Sequence, residues 1–74
     1  MIVVNPRSLD NIRYEMGFGN RKRTIETTLE FFKEHNIQLD MYKNTFDLWV
    51  LTFDTPRAEV LFRLRFSEYL LEAY

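Results

Sequence analysis

The chain contains no cysteine. That removes disulfides, thiolate zinc sites and thiol nucleophiles together. It has one histidine, His35, so a histidine-rich metal site is excluded as well. Two glycines and two prolines in 74 residues are too few for a low-complexity or disordered segment. The apolar run Ile2-Val3-Val4 is far too short for a signal peptide or a membrane span. These absences point to a cytosolic setting, where cysteine-free chains are at no disadvantage.

What is present is core-forming. Hydrophobic residues make up 46% of the chain and aromatic residues 16%. A chain of this length suits a single domain, residues 1–74. Such a domain buries only about 60% of its unfolded surface, so it depends on a well-packed core or on association. Charge is uneven although the net value is −1. Residues 1–23 hold five basic and two acidic side chains, whereas residues 24–54 hold two basic and six acidic. One end therefore offers a local basic patch on a chain that lacks the overall basicity of a general nucleic-acid binder.

Periodicity gives the elements. Ile2–Val4 reads as a short strand closed by Asn5-Pro6. Residues 8–17 support two patterns. Ser8 can cap a helix carrying Leu9, Ile12 and Met16 and ending at Gly17. Ile12, Tyr14, Met16 and Phe18 also alternate with Arg13, Glu15 and Gly17, and this period of two favours a strand. Thr24 caps a helix whose Ile25, Leu29 and Phe32 form one apolar face, with Asn36 as its stop. Leu39–Met41 predicts a short strand, Lys43-Asn44 a turn, and Thr45–Phe53 the strongest strand, set inside the sheet. Thr55-Pro56 is the cap and first-turn proline of a last helix, with Ala58, Phe62, Phe66, Tyr69 and Ala73 as its packing stripe.

The expected fold class is α+β. Starting from Ile12 it is a two-layer β-α-β-β-α sandwich, ferredoxin-like without the last strand, with the short N-terminal strand added. Both helices cover one sheet face, taken as that of Ile12, Tyr14, Met16, Phe18, Leu39, Met41, Phe46, Leu48 and Val50. Two helices cannot cover both faces. The other face would expose Tyr42, Trp49, Leu51 and Phe53 beside Arg13, Glu15, Asp40 and Asp47. A register change of one residue would exchange the faces.

The segment Phe53-Asp54-Thr55-Pro56-Arg57-Ala58-Glu59-Val60-Leu61-Phe62-Arg63-Leu64-Arg65-Phe66 resembles a motif of small accessory proteins of tailed bacteriophages. The motif is a strand ending in Phe, a short acidic turn, an Ala, then Phe-x-Leu-Arg-aromatic. The resemblance spans residues 12–67 and departs from the pattern at Thr55-Pro56, where acidic residues are common. It implies a phage early protein that binds and inhibits or redirects a host protein in the host cytoplasm. It implies no catalytic residue.

Three groups of side chains are candidates for contact. Tyr42, Trp49, Leu51 and Phe53 form the expected open sheet face, and Trp and Tyr are favoured interface anchors. Val60, Leu64 and Leu71 form a second apolar stripe on the last helix, fitted to a partner protein or a homodimer. Arg7, Arg13, Arg21, Lys22 and Arg23 suit phosphate contacts, which makes a small nucleic-acid-binding module the alternative function. Gly17-Phe18-Gly19 matches a fragment of the RNA-recognition signature, but Glu15, Asp40 and Asp47 would repel phosphates. It is neither a P-loop nor a dinucleotide fingerprint. His35 at a helix end suits capping rather than proton transfer. The acidic residues are too scattered for a metal site, and no cofactor is expected.

Overall fold

The computed structural model describes residues 1–44 and 47–70. The chain runs β1 (Ile2–Val4), α1 (Pro6–Glu15), α2 (Ile25–Glu34), β2 (Ile37–Met41), a 3-10 turn at Tyr42–Asn44, β3 (Trp49–Phe53), α3 (Pro56–Arg65) and a 3-10 turn at Ser67–Tyr69. The three strands form one antiparallel sheet in the order β1-β3-β2. The helices pack on it as the second layer of an α+β sandwich. With α1 set aside, the order is β-α-β-β-α, ferredoxin-like without the last strand.

The element expected as a strand over Ile12–Phe18 is instead the second half of α1 and its C-terminal turn. The first strand of the sandwich is Ile2–Val4. The helix is decided at its ends. The Asn5 side chain accepts from the Ser8 amide at 2.7 Å, and Pro6 fixes the first turn. At the other end Gly17 adopts φ +91°. The Gly17 amide donates to Tyr14 O and the Phe18 amide to Arg13 O, the paired bonds of a Schellman cap. Leu9 and Ile12 then face inward and Tyr14 is 77% exposed, which alternation would have buried.

The remaining elements follow their caps more closely. Thr24 and Thr27 form a reciprocal capping box at the start of α2, and Asn36 leaves it at φ 60°. The buried face of α2 is Thr28, Phe31 and Phe32 rather than Ile25, Leu29 and Phe32, since Ile25 and Leu29 are exposed. The strand at the centre of the sheet starts at Trp49. Thr45 and Phe46 lie outside the described residues. Thr55 caps α3, and Pro56 opens it.

The faces of β3 are the reverse of those expected, whereas Leu39 and Met41 of β2 lie on the helix side as expected. Register places Ile2, Leu39 and Leu51 side by side, with Val4, Met41 and Trp49 in the next row and Ile37 opposite Phe53. Ile2, Val4, Ile37, Leu39 and Leu51 join Leu9, Ile12, Phe18, Phe31, Phe32, Phe62 and Phe66 in the core, with Trp49 and Phe53 packed against it. Val3, Gln38, Asp40, Val50 and Thr52 occupy the other face by the same register. Val50 is nevertheless buried, although it is no part of the core cluster.

Candidate functional site

The phase of α3 is set at its first residues. The Thr55 hydroxyl accepts from the Ala58 amide at 3.1 Å, and the proline that follows fixes φ for the first turn. The helical period then turns Phe62 and Phe66 into the core, where their rings lie 4.6 Å apart. Phe53 of β3 meets Phe62 at 5.0 Å. The opposite side of the same period carries Arg57, Val60, Leu61 and Leu64. Val60 is 53% exposed, Leu61 56% and Leu64 73%.

Charges frame this stripe. Glu59 is paired with the Met1 amine and, at 3.6 Å, with Arg63. Arg63 also donates to Met1 O at 3.1 Å, which ties the flank of α3 to the start of β1. Arg65 donates to Glu15 O at 3.2 Å and lies over the Phe66 ring. Three arginines on α3 face one glutamate, so the helix offers exposed apolar side chains within a positive surround.

The expected patch of Tyr42, Trp49, Leu51 and Phe53 does not form an open face. Leu51 is fully buried under the helices, and Trp49 and Phe53 are half-buried against the core. Tyr42 belongs to the turn after β2, with the Lys43 ammonium 5.2 Å from its ring. The reason is the register: odd residues of β3 face the helices, so the largest apolar side chains of the strand are core. Val60 and Leu64 are where the stripe places them. Leu71 lies outside the described residues, as does Ala73. Leu61 was not singled out by the sequence, although its position three residues before Leu64 would have found it.

Two of the five candidate basic side chains, Arg13 and Arg21, are engaged by other groups of the fold. Arg13 donates to Thr28 Oγ1 at 2.6 Å, pairs with Asp10 and lies over the Phe18 ring. Burial, and then the neighbouring Arg23 charge, pull its guanidinium below the usual value. Arg21 is 3.1 Å from Glu34 and 5.1 Å from the centre of the Phe31 ring. Arg7 lies exposed in the first turn of α1, and Lys22 and Arg23 lie exposed in the connector to α2. Gly17-Phe18-Gly19 closes a helix rather than lying on a strand, so it does not carry the sheet geometry of an RNA-recognition motif. The His35 ring nitrogen Nδ1 lies 2.9 Å from Phe31 O at the end of α2.

Among the described residues no group of three or more histidine, aspartate or glutamate side chains is placed to hold a metal ion, and no helix is long and apolar enough to cross a membrane. Comparison with protein-family models, curated proteins and solved structures gave no match.

Proposed function

We propose that the protein is a non-catalytic binding protein that docks the outer face of α3 into an apolar, acid-rimmed groove of another protein. The observation that carries this reading is the exposure of Val60, Leu61 and Leu64 on one side of a helix whose other side is core. Burying a large aliphatic side chain contributes about 1.5–3 kcal/mol, so three on one turn and a half of helix are a usable anchor for helix-in-groove recognition. The surrounding arginines favour an acidic rim and steer approach. They also disfavour a second copy of this chain, since two such helices face to face would bring like charges together. The resemblance to tailed-phage accessory proteins supports a host protein as the target, inhibited or redirected by the contact.

Nucleic acid is the weaker reading, because Arg13 and Arg21 are already held by Asp10, Thr28 and Glu34. Affinity capture from bacterial lysate, with and without nuclease, separates the two. A stoichiometric protein that survives nuclease on the wild-type chain, and is lost on Leu64→Glu, supports docking through α3. Capture that vanishes with nuclease contradicts it. Sedimentation of the isolated chain as a dimer disrupted by Leu64→Glu would give the face to a second copy instead.

A further inference from the structure

α1 and the start of α2 do not close on each other. Between them lies a cleft of about 180 Å³, with Leu9, Leu39 and Trp49 among its apolar lining and Asp10, Arg13 and Arg23 on its polar side. The polar side holds two guanidinium groups and one carboxylate. Arg13 is committed to Thr28 and Asp10. Arg23 is held more loosely: it pairs with Asp10 at 3.9 Å, and its side chain is 66% exposed. One carboxylate thus serves two cations, and a second carboxylate arriving beside Arg23 would relieve their repulsion.

The rim of the cleft indicates the size of the occupant. Ile25 lines it and is half exposed. The cleft takes one side chain of leucine or phenylalanine size. A free molecule that small would leave the apolar rim wet, whereas a polypeptide crossing the cleft would cover it.

We propose that this cleft receives one apolar side chain of a polypeptide partner, with an adjoining aspartate or glutamate of the same segment set against Arg23. The site lies on elements other than α3, and the inference does not rest on the reading of the α3 face.

Trp49 is the only tryptophan of the chain, so its emission reports on the cleft directly. Acetyl-Asp-Phe-Asp-amide titrated into the full chain should give a saturable change in that emission. Acetyl-Lys-Phe-Lys-amide should bind more weakly. Arg23→Gln, an exposed connector substitution, should weaken the acidic peptide about tenfold, the scale of one hydrogen bond to a charged group. Leu64→Glu should leave the titration unchanged, which distinguishes failure here from failure at α3. Absence of a saturable change with the acidic peptide overturns the proposal. So does equal binding of the lysine peptide, or full affinity in Arg23→Gln. Phenylacetate binding as tightly as the peptide would overturn the polypeptide assignment.

Discussion

The ring of Phe18 meets the ring of Phe31 edge-on, with centroids 5.1 Å apart and planes at 87°. The first residue follows the glycine that ends α1, and the second lies on the inner face of α2. Their contact therefore fixes the angle between the first two helices, and both rings are buried. Phe18→Ala should cost about 3–5 kcal/mol, as for other buried phenylalanine truncations. Tyr14→Ala, four residues earlier and on the outer face of the same helix, should change stability by less than about 0.5 kcal/mol. Urea titration of both variants checks the pair. Equal losses would mean that Tyr14 and Phe18 share a face, as in a strand.

Gly17 offers a test of the helix end that involves no packing. Its φ of +91° lies in the region disfavoured for L residues, yet a Cβ placed there meets nothing within 4 Å. Gly17→Ala should therefore destabilise by about 1–2 kcal/mol through backbone strain alone. Gly17→Asn should cost less, because asparagine tolerates the left-handed region. Thermal melts of the two variants should rank in that order.

Glu59 makes part of the stability depend on pH. Its hydrogen bond to the Met1 amine, reinforced by that charge and by Arg63, holds its carboxyl below the ordinary value of 4.5 despite the opposing effect of burial. A depressed carboxylate contributes stability that is present above the unfolded-state pKa and is lost as pH falls through the folded-state value. Melting temperatures of the wild type and Glu59→Gln should thus differ at neutral pH and converge in acid. A gap that persists unchanged below the carboxylate range would contradict this linkage.

The local signals were legible where a cap fixed the phase. Thr24, Asn36, Thr55 and Pro56 all mark the helix ends expected of them. Asn5-Pro6 is the same kind of signature as Thr55-Pro56, but an asparagine before proline is also a turn signal and reads equally well as a strand stop. The alternation over Ile12–Phe18 then outweighed it, since Gly17 breaks the helical pattern at the point where the Schellman turn begins. The face of β3 was not legible. Its residues are apolar on both sides, and only the pairing of Leu51 with Ile2 and Leu39 decides which side meets the helices. That one choice moved Trp49, Leu51 and Phe53 from candidate contacts to the core side. Val60 and Leu64 were unaffected, because their orientation depends on α3 alone. The cleft beside Trp49 could not be foreseen, for it joins residues from α1, the connector, α2, β2 and β3.

The most direct measurement compares three full-length chains against the protein captured by the wild type: wild type, Leu64→Glu on α3 and Thr52→Arg on the sheet face opposite the helices. Binding is measured by titration calorimetry after circular dichroism has shown all three to be folded. Docking through α3 predicts that Thr52→Arg keeps the wild-type affinity while Leu64→Glu loses at least about tenfold, corresponding to about 1.4 kcal/mol. Retained affinity in Leu64→Glu with loss in Thr52→Arg would place the contact on the sheet and contradict the assignment of the outer face of α3.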